Sequence, residues 1–84
     1  MIPSNILKKY GILESLEERL QITREIGISD DDATIDYYRS FLICTDHIPN
    51  KIIEAQFFGH ISEDYTEILN YRQFARDEIN RLLK

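Results

Sequence analysis

A thiol, a carboxylate and an imidazole lie close together at Cys44, Asp46 and His47, the residue types from which a nucleophile, an orienting acid and a general base are assembled. A catalytic Cys44 would form its thiolate well below the free thiol's pKa of about 8.5. The local pattern favours a plainer use. Cys44 ends an apolar stretch and reads as a small core hydrophobe, Asp46 as a helix cap, and His47 as a turn residue.

A metal centre needs three or four convergent ligands. The two imidazoles, His47 and His60, stand in different turns, and Cys44 is the only cysteine, which excludes a cysteine-based zinc site and an intrachain disulfide. Asp30-Asp31-Asp32 lacks the alternating oxygen ligands, glycine and closing glutamate of an EF-hand loop, so it reads as a solvated helix start. The acidic pairs Glu17/Glu18 and Glu63/Asp64 are sequence neighbours, which point in different directions from a helix. Gly11, Gly27 and Gly59 are isolated, so no glycine-rich loop cradles a phosphate. The expectation is a protein that is not an enzyme, with no catalytic residue, no cofactor and no metal.

The formal net charge is −5 over 84 residues. Residues 1–42 carry five basic and eight acidic groups and residues 43–84 five and seven, so neither half is basic. Gripping nucleic acid takes clustered Lys and Arg that displace phosphate counterions, and no nucleic-acid partner is expected. Ser29 to Phe57 does give two helices around a turn, which keeps a helix-turn-helix regulator as the competing class. Its second helix, however, offers only Lys51 as a cation and carries Glu54.

The longest apolar stretch, around Phe41 to Ile43, falls far short of the roughly 20 residues that span a bilayer, and Met1 to Gly11 lacks the apolar core and cleavage site of a signal peptide. The expectation is a protein that stays in the compartment where it is made, without a membrane segment.

Stretches that alternate β-branched and polar residues are missing and valine does not occur, whereas helix punctuation recurs. The reading is all-α: one domain over residues 1–84, a small bundle of three to four main helices with a long C-terminal helix. Its core is thin, with a net stability of about 4–13 kcal/mol.

A first short helix runs from Pro3 or Ser4 to Tyr10, with Ile6, Leu7 and Tyr10 on one side. A second runs from Ile12 to Ile26, with Leu13, Leu16 and Leu20 at helical spacing and Ile22 and Ile26 widening the stripe. Gly11 is either a break or a weak point before it. Ser29 caps a third helix whose first turn holds three carboxylates and whose face carries Ile35, Tyr38, Phe41 and Leu42 to Cys44. Pro49 then suits the first turn of a fourth helix, capped by Asp46 or Thr45 and bearing Ile52, Ile53, Ala55 and Phe57 to a stop near Gly59.

The last helix starts at Ser62. Along it Tyr65, Ile68, Arg72, Ala75, Ile79 and Leu82 alternate spacings of three and four, a heptad seam with one arginine in it. Asp77 and Arg81 stand as an i,i+4 pair. The seam is either an interaction face, with Arg72 selecting register or partner, or it packs on the chain's own helices, the use favoured in a thin domain. Tyr71 and Phe74 lie off the seam and would make a second apolar face.

Phe41-Leu42-Ile43, then Thr45-Asp46-His47-Ile48-Pro49-Asn50-Lys51-Ile52-Ile53-Glu54-Ala55-Gln56, then Glu63-Asp64-Tyr65 and Arg72-Gln73-Phe74-Ala75-Arg76-Asp77-Glu78-Ile79-Asn80 resemble small, uncharacterised proteins encoded among the tail genes of bacteriophages and prophages. Those have Thr-Asp-Tyr in the turn, where this chain has His47. The resemblance covers residues 37–84. It implies a non-enzymatic, structural or interaction role in phage tail or particle assembly, through a protein partner or self-association, in the cytoplasm of a bacterial host or associated with a virion. It brings no catalytic residue with it. The matching Asp46, Glu54, Tyr65, Arg72, Arg76 and Asn80 are equally caps and interhelix contacts.

Overall fold

Ser15 and Ser29 start two helices by the same device. Ser15 Oγ accepts a hydrogen bond from the Glu18 amide at 3.1 Å, and Ser29 Oγ accepts one from the Asp32 amide at 3.2 Å; each such cap stabilises by about 1 kcal/mol. Glycines stop the preceding helices. Gly11 and Gly27 have φ of +87° and +82°, and beyond each turn Ile12 donates to Leu7 O and Ile28 to Thr23 O, both at 2.9 Å. These are the closing bonds of left-handed helix ends.

The computed structural model describes residues 1–57 and 63–84, with 54–57 and 63–64 described by their backbone alone. These residues form helices α1 (Ser4–Lys9), α2 (Leu16–Glu25), α3 (Asp30–Cys44), α4 (Ile48–Phe57) and α5 (Glu63–Leu83). No strand occurs among the described residues. The protein is an all-α bundle of four main helices, the last the longest, preceded by the short α1. The expected stop near Gly59 and start at Ser62 lie outside the described residues.

Three local expectations change. The helix expected over Ile12–Ile26 is shorter, because Gly11 breaks the chain and Ser15 caps only at Leu16, leaving residues 12–15 as a link. Neither Thr45 nor Asp46 caps α4. The first α4 bond runs from the Lys51 amide to His47 O at 3.1 Å, while the Thr45 hydroxyl turns back to Phe41 O at 2.7 Å. Arg81 pairs with Glu78 at 2.8 Å, one turn away, rather than with Asp77, which accepts from Gln73 at 2.9 Å.

α3 lies between α2 and α5, and α4 packs on α5. Both α3 pairings are antiparallel, as contact order shows. Along α2, Arg24 meets Asp30 and Tyr37 reaches back to Glu14; along α5, Arg72 meets Thr45 and Phe74 meets Tyr38. Phe41 and Ile68 are 0% exposed and Ile48 1%. Around them pack Ile35, Tyr38, Ala75 and Ile79, with Ile2, Ile6 and Leu7 of the N-terminal segment.

The radius of gyration is 14.4 Å, against about 12 Å for a compact domain of this length, and the molecule measures 49 × 27 × 17 Å. α2 packs chiefly against α3.

Tyr37 and Tyr38 are buried side by side, their rings edge to face at 5.7 Å. Burial raises both phenols above the ordinary tyrosine value, and the adjacent Tyr38 adds to the effect on Tyr37. Their neutral forms therefore belong to the folded state. That stability is fully present below the unfolded pKa of about 10 and is lost as pH rises through the folded pKa. Ionisation would also remove the proton that Tyr37 donates to Glu14 O at 2.8 Å. We expect phenolate absorbance above about pH 10 to rise together with loss of helical circular dichroism; full titration of all tyrosines with helicity intact would refute the coupling.

Candidate functional site

The Cys44, Asp46 and His47 side chains are all exposed. No hydrogen bond joins any two of them among the described residues. His47 instead faces the Tyr10 ring at 6.0 Å, and Cys44 sits on a groove wall rather than in the core. α3 buries its other side against α5, which turns Cys44 outward. His60 lies outside the described residues. No three His, Cys, Asp or Glu side chains converge on a metal-sized space among the described residues.

The Asp30–Asp32 run is a helix start with an added clamp. Arg24 Nε and Nη2 donate to the two Asp30 carboxylate oxygens at 2.9 and 2.7 Å. This hydrogen bonding holds the Asp30 carboxyl below its usual range. The clamp staples α2 to α3 across their turn.

The heptad seam is spent inside the chain. Ile68, Arg72, Ala75 and Ile79 are buried, and Tyr65 and Leu82 are half-buried against the core. Tyr71 and Phe74 are half-buried too. Tyr71 Oη donates to Glu67 Oε1 at 3.0 Å, and Phe74 meets Tyr38 edge to face at 5.7 Å.

Arg72 works as an internal cap. Its Nη1 donates to Leu42 O and to Thr45 Oγ1, both at 2.6 Å. A helix leaves its last carbonyls without partners, and at the end of α3 the partly buried Leu42 carbonyl lies beside the fully buried Thr45. The seam arginine reaches across from α5 to do so. Burial lowers its guanidinium pKa from the ordinary value, Arg76 lowers it further, and Asp46 opposes both; arginine's very high intrinsic pKa keeps it charged at neutral pH. Its Nε is buried without a hydrogen-bond partner.

The free apolar surface lies elsewhere. Leu13 is 76% exposed, Ile26 68% and Ile22 48%, so three of the five residues in the stripe expected to bury the second helix face solvent. Leu16 and Leu20 are only half-buried. These residues border a groove of about 510 Å³ between α2 and α3, walled on the α3 side by Ala33, Tyr37 and Cys44 and closed at one end by Ile28. Ile43 on α3 is likewise 69% exposed. At the other end Arg19 Nε lies 3.1 Å from Glu14 Oε2. The contact lacks hydrogen-bond alignment, and Glu14 Oε2 is buried without a donor.

Leucine and isoleucine spacing announced an apolar stripe. It did not announce that no further helix among the described residues covers it. No helix among the described residues is long and apolar enough to cross a membrane. Comparison with family models, with characterised proteins and with solved structures finds no match to this chain.

Proposed function

We propose that this chain is a non-enzymatic interaction protein of phage or prophage origin, serving tail or particle assembly, which binds another protein through the α2–α3 face rather than through α5. The observation that carries the binding face is the exposure of Leu13, Ile22 and Ile26 around one groove. An apolar patch left open in so small a protein costs solubility unless something covers it. The seam of α5 supports the same choice, because Ile68, Ala75 and Ile79 are already buried. The phage setting rests on the resemblance of residues 37–84 and on nothing in the groove.

Molar mass by light scattering tests the reading, at two concentrations about twentyfold apart, for the native chain and for Ile26→Asp. We expect a mass near 10.0 kDa in every case, a folded monomer awaiting its partner. A dimer that survives Ile26→Asp would place the interface elsewhere and overturn the choice of face. A dimer that this change dissolves would keep the face and make its occupant a second copy. Salt-sensitive, sequence-selective DNA binding in a gel shift would replace the reading by the regulator class.

A further inference from the structure

We infer that the α2–α3 groove receives a basic amphipathic helix of a partner protein, an inference that rests on the docking face proposed above. The floor is apolar, and Ile22 and Ile26 stand one helical turn apart along it. That spacing matches the i, i+3, i+4 and i+7 anchors by which an amphipathic helix seats in a groove. α2 has ten residues, about 15 Å of axis, and would be matched by some three turns of partner helix.

The rim selects the partner's charge. Asp36 lines the groove; by helical position Asp32 stands one turn before it on α3, and Glu18 and Glu25 bracket Ile22 along α2. All four are exposed, and none has an ion-pair partner among the described residues, whereas Arg19 lies against Glu14 and Arg24 is held by Asp30, which leaves Arg39 as the one cation of this stretch without an ion pair among the described residues. Residues 13–44 hold eight acidic and three basic groups, a net charge equal to the −5 of the whole chain. The groove thus sits in the most acidic part of the molecule.

A second copy docking by the same face would set acidic rim against acidic rim, which like-charge repulsion opposes. Lysines or arginines flanking an apolar stripe would instead meet Glu18, Glu25, Asp32 and Asp36. A donor from such a helix would also supply the hydrogen bond that buried Glu14 Oε2 lacks.

The test uses a synthetic helical peptide with leucines at i, i+4 and i+7 and lysines on the flanking positions, and the same peptide with glutamates for lysines. Affinity is read by fluorescence anisotropy, and the site by the alkylation rate of Cys44, the chain's only thiol, on the groove wall. We expect the basic peptide to bind at least about tenfold tighter than the acidic one, through several charge contacts that each add a few-fold, and more weakly as salt is raised. It should slow Cys44 alkylation and lose its binding to Ile22→Asp. Asp36→Asn should weaken it severalfold, while Asp77→Asn, on α5, should not.

Equal, Ile22-dependent binding of both peptides would sink the charge selection and leave the docking face standing. Binding that ignores Ile22→Asp and leaves Cys44 unprotected would remove the groove as the site and overturn the inference. Binding of neither peptide would overturn it too, with the mass measurement on Ile26→Asp deciding separately whether the face is used.

Discussion

Phe41→Ala is expected to remove about 3–5 kcal/mol of stability, the range for emptying a buried aromatic site. Phe41 is 0% exposed near the C-terminal end of α3, the helix that both α2 and α5 lean on. The cavity has little means of closing, because α3 is pinned at that end by Arg72 and stapled at its other end by the Arg24–Asp30 clamp. Set against a total of about 4–13 kcal/mol for a chain of this length, the loss would leave much of the protein unfolded at 37 °C or abolish the folding transition. Urea unfolding followed by circular dichroism measures it. Leu13→Ala is the control, since a side chain 76% exposed should cost no more than about 0.5 kcal/mol on truncation. Similar losses for the two would show that burial in α3 does not dominate the stability.

Arg72→Ala is expected to cost about 2–4 kcal/mol, because it leaves Leu42 O and the Thr45 hydroxyl inside the protein without their donor. The arginine's own burial costs something in the native chain, since it has no carboxylate hydrogen-bonded to it and its Nε is unpartnered, and the estimate is net of that. Thr45→Val keeps the shape and removes the acceptor at 2.6 Å. A double-mutant cycle between the two should show a coupling of about 0.5–3 kcal/mol, as neighbours in one hydrogen-bond network do. The mass should stay near 10.0 kDa in Arg72→Ala under conditions where it remains folded. A change of oligomeric state with unchanged stability would mean that Arg72 serves an interface and not the end of α3.

Both predictions concern residues whose positions were legible and whose tasks were only partly so. The aromatic face of the third helix placed Phe41 inward, because Ile35, Tyr38 and Phe41 recur at the helical period and only one face of a helix can leave water. The same period placed Arg72 in an apolar seam. Charge in a seam reads equally as a selector of partner or as a partner of something internal. The choice depends on where the end of α3 comes to lie, with Leu42 30 and Thr45 27 positions from Arg72, a separation that no local pattern encodes. Cys44 went astray for a related reason. Its apolar neighbours suggested burial, but a helix has two sides, and α5 took the side bearing Phe41.

The stripe of α2 shows the limit most plainly. Leu13, Leu16, Leu20, Ile22 and Ile26 have the spacing of a helix meant to be covered, and periodicity reports that need without reporting what meets it. In this fold α3 covers part of the stripe, and Leu13, Ile22 and Ile26 remain at the groove.

By itself the sequence determined the all-α class, a helix start at Pro3 or Ser4 and another at Ser29, the end of the second helix before Gly27, and the acidic balance. These follow from backbone sterics, capping and charge, which act over a few residues. Only the tertiary structure decided that the α5 seam closes on α3, that Arg72 caps a neighbouring helix, and that the α2–α3 face is the surface left open. Those outcomes depend on which apolar faces meet, a competition among whole helices settled by burial and by the need to satisfy every buried carbonyl.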